Sequence, residues 1–288
     1  MRVSILGSAG QLGTDLCKAF SEGGRHQVTA LSHEQVDVTQ PSGLVDSLSQ
    51  HEPDAVINCA AYHKVDECED QPEHALGVNA IGALNVARAC TELAAKCVYI
   101  SSDYVFDGAK GTSYLEGDLP QPLNVYGSSK VAGEHFVAQA CADSVVARTA
   151  SLFGVAGASG KGGNFVEAII NKAKAGGPLK VVNDVRMSPT YTLDAARALE
   201  GLVGANSVGV FHVTNAGSAT WYEFARAILD LTGHDVLLEP TGSDEWPAKA
   251  RRPANSSLSS DRMDQPTGAL LRDWADALKA YLAEKEHI

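Results

Sequence analysis

Arg2-Val-Ser-Ile-Leu6-Gly7-Ser-Ala-Gly10-Gln-Leu-Gly13 passes from a β-type run through a glycine turn into Thr14-Asp-Leu-Cys-Lys-Ala-Phe20, which reads as a helix. Strand, glycine turn and helix in that order are the setting of a dinucleotide-binding loop. Gly7 permits the tight turn, Gly10 lets the backbone approach a pyrophosphate, and Gly13 lets the helix pack closely. Gln11 and Leu12 complete the loop. The helix N-terminus offers free N–H groups to the anion. The spacing is G-x-x-G-x-x-G, which a plain strand-to-helix turn also satisfies. Its place at the head of an α/β pattern favours nucleotide binding.

Working outward, His26-Gln-Val-Thr-Ala-Leu31 is the second strand. A carboxylate at the end of that strand usually holds the adenine-side ribose hydroxyl. Ser32-His33 stands there instead, with Glu34 displaced. Without the carboxylate a 2′-phosphate meets no repulsion, and His33, Arg2 or Arg25 offers positive charge. The pattern leans to NADPH, with NADH the alternative. In Asp37-Val38, Asp37 either touches the adenine or caps a helix expected from Thr39-Gln-Pro41. Asp54-Ala-Val-Ile-Asn58 is apolar, as a buried parallel strand should be. Ligands in open α/β sheets sit beyond the carboxyl ends of strands, so Ala60, Ala61 and Tyr62 are cofactor candidates. Residues 72–94 have helical periodicity, and Asn79 within them either supports the active-site backbone or is a satisfied core asparagine.

Lys96-Cys-Val-Tyr-Ile100 is a fourth strand and runs into Ser101-Ser102-Asp103-Tyr104. Tyr126-Gly-Ser-Ser-Lys130 follows after Pro122-Leu-Asn124. On a helix Tyr126 and Lys130 share a face, roughly 6 Å apart along the axis. A phenol has an unperturbed pKa of about 10, and a nearby ammonium favours its ionised form. Tyr126 is then a candidate general acid, Lys130 its tuner, and Ser102 a hydroxyl donor to a substrate carbonyl. The same spacing recurs at Tyr281 and Lys285, which read as a solvated helix face.

Ser144-Val-Val-Ala-Arg148 is the next strand, and from about residue 150 the character changes. A glycine-rich loop spans Gly154 to Gly163, and Asn164-Phe-Val opens a helix. Thr220 and Glu223 have capping-box spacing, and a last helix is expected from about Gly268 to Glu284. The expected fold class is α/β, a Rossmann-type doubly wound parallel sheet with a smaller C-terminal lobe. Residues 1–150 form the NAD(P)-binding domain. Residues 151–288 form mainly a substrate-binding lobe, interleaved with the Rossmann core.

The 288 residues allow ample core, and a formal net charge of -12 argues against general nucleic-acid or anionic-membrane binding. No apolar run is long enough to span a bilayer. Cysteines 17, 59, 68, 90, 97 and 141 lack metal-knuckle or redox spacing. They read as buried thiols in a reducing cytoplasm, and no signal-peptide layout precedes the first strand.

Taken together, these residues resemble an extended short-chain dehydrogenase/reductase and, within it, the dTDP-4-dehydrorhamnose reductase family. The matching stretches are Gly7-x-x-Gly10-Gln-Leu-Gly13, Val56-Ile-Asn-Cys-Ala-Ala61, Val65-Asp66, Ser102-Asp-Tyr-Val-Phe-Asp-Gly108, Pro122-Leu-Asn-Val-Tyr126-Gly-x-x-Lys130-x-x-Gly-Glu134, Asn164-Phe165, Ser188-Pro-Thr190 and Arg252-Pro-x-x-Ser256. The resemblance implies that NAD(P)H delivers hydride to the 4-keto carbon of dTDP-6-deoxy-L-lyxo-4-hexulose, giving dTDP-L-rhamnose. It implies that Tyr126 protonates the carbonyl oxygen, Ser102 hydrogen-bonds it, and Lys130 holds the nicotinamide ribose. Val65, Ser102, Asp103, Tyr104, Asn164, Phe165 and Arg252 are the implied substrate contacts. Lys161, Arg186, Arg251 and Arg252 are basic candidates for the diphosphate. No metal is assigned. The expected partners are a nucleotide sugar and, as an open point, a second copy in a homodimer. Where the family often carries a tryptophan after Arg148, this chain reads Thr149-Ala-Ser151, so another nucleotide sugar is an alternative substrate. A non-catalytic NADP-binding regulatory subunit is the alternative from a different class.

Overall fold

Period-two alternation sorts the strand side chains into two layers. In the computed structural model, which describes residues 1–157, 163–246, 248–263 and 271–288, Val3, Ile5, Ala55, Ile57, Val98, Val145 and Ala147 face one side. Leu6, Val56, Cys97, Tyr99 and Val146 face the other. The strands are β1 (Arg2–Leu6), β2 (Gln27–Leu31), β3 (Ala55–Asn58), β4 (Lys96–Ser102), β5 (Ser144–Thr149), β6 (Leu152–Phe153), β7 (Leu179–Val182), β8 (Arg186–Met187), β9 (Thr190–Tyr191), β10 (Gly209–His212), β11 (Ala219–Thr220) and β12 (Leu238–Thr241). Six of them form one sheet in the order β10-β5-β4-β3-β1-β2, and every pairing in it is parallel. Burial on both faces explains why β3 reads as an almost unbroken apolar run.

The helices are α1 (Gln11–Ser21), α2 (Leu44–Ser49), α3 (Val65–Asp70), α4 (Pro72–Leu76), α5 (Gly82–Glu92), α6 (Val125–Ala140), α7 (Phe165–Ala175), α8 (Thr192–Gly204), α9 (Trp221–Thr232) and α10 (Trp274–Glu284). Leu12, Leu16 and Phe20 of α1 join Leu199 and Leu202 of α8 on the first face. Leu44 and Leu48 of α2, Val86 and Cys90 of α5, and Val137 of α6 cover the second. The sheet is therefore wound on both sides, as a Rossmann-type α/β fold requires. A third core joins α7, α9 and α10 around Phe153, Tyr191, Phe224 and Tyr281.

The sheet order reverses between β1 and β3. That is the topological switch point, beyond whose carboxyl ends α/β folds hold ligands. Edge strand β10 is covered by the loop carrying Glu116, whose carboxylate accepts from the His212 amide at 3.0 Å.

Several expectations change. The helix expected from Thr39 begins at Leu44, because Asp37 turns the chain by accepting from the Thr39 amide and hydroxyl at 2.9 and 2.8 Å. The helical run from residue 72 contains a π turn at Gly77–Ile81, placing Asn79 in a widened turn. Strand β4 continues through Ser102. The expected start of the last helix, residues 268–270, lies outside the described residues, and α10 opens at Trp274 under an Asp273 cap. Tyr281 is not on a solvated face: it is 0% exposed, and its hydroxyl donates to Glu167 at 2.6 Å. The Thr220–Glu223 capping box is present.

Candidate active site

Strand β4 delivers Ser102 at its carboxyl end. Its hydroxyl donates to Asp103 Oδ1 at 3.0 Å and accepts from the Tyr104 amide at 3.1 Å. Asp103 is buried and also accepts from Ser256 Oγ at 2.5 Å. Burial raises its carboxyl to about 6, against the lowering effect of the Ser256 and Ser102 hydroxyls.

Helix α6 brings Tyr126 and Lys130 to the same place. Asn124 caps it, accepting from the Gly127 amide at 2.7 Å, and donates to the Arg251 carbonyl at 2.8 Å. A Cβ at Gly127 would stand 2.1 Å from the Tyr104 carbonyl, so glycine lets the helix start press onto the turn after Ser102. The rings of Tyr104 and Tyr126 then meet edge to face at 6.1 Å. The Ser102 hydroxyl acts to lower the pKa of the Tyr126 phenol. Burial outweighs it and raises the pKa above the ordinary tyrosine value. The expected lowering by Lys130 is overturned, because desolvation dominates at the phenol.

Lys130 is 1% exposed. Its amine sits 4.2 Å from the centroid of the Tyr99 ring. Burial pulls it down to about 7, opposed by the Glu134 carboxylate one turn further along α6 and by Cys59. Glu134 is itself held by Arg148 at 2.9 and 2.7 Å and accepts from Ser101 at 2.5 Å.

The glycine loop lies at the switch point. Gly7 has φ +73, and a Cβ on Gly13 would stand 2.3 Å from the Gly7 carbonyl, so α1 packs directly on the turn. Gly10 is the N-cap of α1, and no side chain caps it. The first amides of α1 therefore suit an anion, which fits a dinucleotide pyrophosphate. The Gln11 side chain is used elsewhere, bridging the Leu152 carbonyl and Gly154 amide at 3.1 Å each. Leu12 is core.

Across the switch point the Ala60 amide donates to Asn58 at 3.1 Å. Asn79 clasps Tyr62 on both backbone groups, at 2.8 and 3.0 Å. Asn79 is therefore both satisfied and a support of this wall, beside which Ala61 lies partly exposed. At the end of β2 the Ser32 amide donates to Gln35, while His33 is exposed. Val38 points into the core, and its carbonyl accepts from Asn85 at 2.9 Å. Arg2 and Arg25 do not serve here. They stand at the amino ends of β1 and β2 and pair with Glu52, Asp54 and Glu200.

On the substrate side, Val65 opens α3 and is partly exposed. Arg252 is clasped by Asp66, at 3.0 and 2.7 Å, and also reaches Tyr104. The bond from Arg252 takes the Asp66 carboxyl down to about 2, against a smaller opposing effect of burial. Asn164 is occupied as the cap of α7 and donates to the Gly154 carbonyl and Tyr281 hydroxyl. Phe165 packs on Trp221 and Phe224, with centroids at 4.7 and 5.7 Å. Arg186 bonds Ser218 and Glu223, Arg251 is exposed, and Lys161 lies outside the described residues. Tyr99, Glu134, Arg148 and Ser256 join the site without having been singled out by role. For Glu134 a signal was legible: it extends the face of Tyr126 and Lys130 by one more four-residue step.

Fold and site together define an extended short-chain dehydrogenase/reductase scaffold, with its nucleotide loop, strand-end hydroxyl and tyrosine–lysine helix. Within that class the chain belongs to the dTDP-4-dehydrorhamnose reductase family. The family model described as the RmlD substrate binding domain matches residues 1–287. The chain is similar to a dTDP-4-dehydrorhamnose reductase of Mycolicibacterium smegmatis, 39% identical over 285 residues, covering 98% of this chain and 85% of that protein. It is similar to a probable dTDP-4,6-dihydroxy-2-methyloxan-3-one 4-ketoreductase of Streptomyces antibioticus, 38% identical over 282 residues, covering 97% and 94%. A crystal structure of dTDP-4-dehydrorhamnose reductase from Bacillus anthracis in complex with NADP superposes with a TM-score of 0.92 at 35% identity, covering 98% of this chain and 99% of that one. Among the described residues no helix is long and apolar enough to cross a membrane.

Proposed function

We propose that this protein reduces the 4-keto group of dTDP-4-dehydrorhamnose with NADPH, giving dTDP-L-rhamnose. What supports this reading is that Ser102 ends β4, Tyr126 and Lys130 lie one turn apart on α6, and the start of α1 after β1 carries no side-chain cap. NADPH, when bound, supplies the hydride for the carbonyl carbon. The chain's own groups do the rest. Tyr126 donates its proton to the carbonyl oxygen as the C–O π bond breaks, and Ser102 hydrogen-bonds that oxygen. The Tyr126 phenol, ordinarily titrating at about 10 and raised further by burial, carries its proton at neutral pH, the state a proton donor needs. Lys130 presents N–H donors towards the ribose. Gly7, Gly10 and Gly13 with the α1 amides would hold the pyrophosphate, and Ala60, Ala61 and Tyr62 would line the cofactor from the end of β3. His33, exposed after β2, would meet a 2′-phosphate, and Asp37, turned onto Thr39, would lie on the adenine side.

A cytoplasmic setting is part of the proposal, since all six cysteines are free thiols. The sugar is the point on which a second reading stands. The S. antibioticus relative is nearly as similar as the M. smegmatis one, and its name gives a different keto sugar. The deciding experiment offers purified protein a panel of dTDP-4-keto-6-deoxy sugars with NADPH and follows loss of absorbance at the nicotinamide band. Fastest turnover of the L-lyxo sugar supports the first reading. Fastest turnover of another sugar supports the second, and binding of NADPH without turnover of any sugar removes both.

A further inference from the structure

A buried ammonium with no partner is strongly unfavourable. Lys130 is 1% exposed, so its charge needs compensation from inside the protein. What faces the amine is the ring of Tyr99, 4.2 Å away at the centroid, on a residue that is 0% exposed. Cation–π attraction is largest in such a desolvated setting. The ring is fixed from two sides. Its hydroxyl donates to the Asn79 carbonyl at 2.7 Å, inside the π turn whose amide side chain clasps Tyr62. On the other side α6 carries Gly133, where a Cβ would stand 2.4 Å from the Tyr99 hydroxyl oxygen and 2.7 Å from the adjoining ring carbon. Glycine at that point of Lys130-x-x-Gly133 gives the ring its seat against the helix that bears the lysine.

We propose that Tyr99 is a positioning residue, whose ring face holds the Lys130 amine charged and in place at the cofactor ribose. The proposal rests on the reductase reading for the role of Lys130. The ring occupies no hydroxyl or carbonyl acceptor, so it stabilises the charge while leaving N–H donors for the ribose. The other titratable groups around Lys130 are Glu134 and Tyr126 on its own helix and Cys59 at the end of β3. Arg148 on β5 engages Glu134 in two hydrogen bonds and so divides that carboxylate's charge. Draining the ring should therefore make the charged amine less favourable and move its titration to lower pH.

The test replaces Tyr99 with Phe and then with mono-, di- and trifluorophenylalanine, which change the ring's quadrupole with little change of volume. The first readout is the titration of Lys130 in the cofactor-free protein, followed by the ¹³Cε signal that Lys130→Met removes. The second is the alkaline limb of kcat/KM with NADPH. Tyr99→Phe should titrate near the wild type. The fluorinated series should move the titration down stepwise by a total of about one pH unit, with the alkaline limb following. A titration that stays put across the series overturns the proposal, and so does one that moves while the limb does not. Failure of the wild type to turn over any keto sugar would count against the reductase reading and leave the titration series readable.

Discussion

Ser256 Oγ donates to the Asp103 carboxylate at 2.5 Å, and the other oxygen of that carboxylate accepts from Ser102 Oγ at 3.0 Å. A residue from the C-terminal region thus reaches the strand-end hydroxyl through one buried acid. Asp103 is raised to about 6 by burial, so the native state holds its proton between the unfolded carboxylate range and pH 6. Through Asp103 the native state binds more protons in that window, so this group's contribution to stability falls as pH rises through it. Urea unfolding at pH 4, 5, 6 and 7 should show this decline, and Asp103→Asn should flatten it. An unchanged slope in the variant would place the titration elsewhere.

Tyr126→Phe removes the proposed proton donor and little else from the half-buried site. NADPH oxidation with the keto sugar should drop by about 10²–10⁴-fold. NADPH affinity, read by fluorescence, should stay within a few-fold. Retained turnover would assign the proton to another group.

Arg148 and Glu134 form a buried pair, bonded at 2.9 and 2.7 Å. Arg148→Met leaves the carboxylate without its cation and should cost about 3–5 kcal/mol in urea unfolding. Replacing both partners with Met should recover much of that loss, because the uncompensated charge is gone. A double variant no more stable than the single one would contradict this account.

His33 stands exposed where a ribose-binding carboxylate is common, while Arg2 and Arg25 are held at the far ends of their strands. His33→Asp places a negative charge against a 2′-phosphate. The ratio of kcat/KM for NADPH over NADH should fall by about tenfold or more, a difference near 1.4 kcal/mol. An unmoved ratio would show that His33 does not face the phosphate.

Much of the scaffold was legible because it is written in short-range patterns. The apolar run of β3, the glycine turn after β1, and the Thr220–Glu223 cap each depend on residues a few positions apart. The helix expected at Thr39 failed for a local reason too: the Asp37 side chain competes for the backbone and makes a turn. In the site, spacing alone placed Tyr126 and Lys130 on one face. It could not separate them from Tyr281 and Lys285, whose tyrosine is buried in the core around Phe153 and Phe224.

By itself the sequence determined the strand–glycine–helix start, the hydroxyl at the end of β4 and the tyrosine–lysine face, since backbone periodicity carries those. Only the tertiary structure decided which charges meet. Arg252 finds Asp66 across 186 residues, and Lys130 finds a ring on β4 instead of a carboxylate. Such pairings are set by desolvation and by which surfaces the sheet and helices press together, and neither is encoded in the spacing of nearby residues.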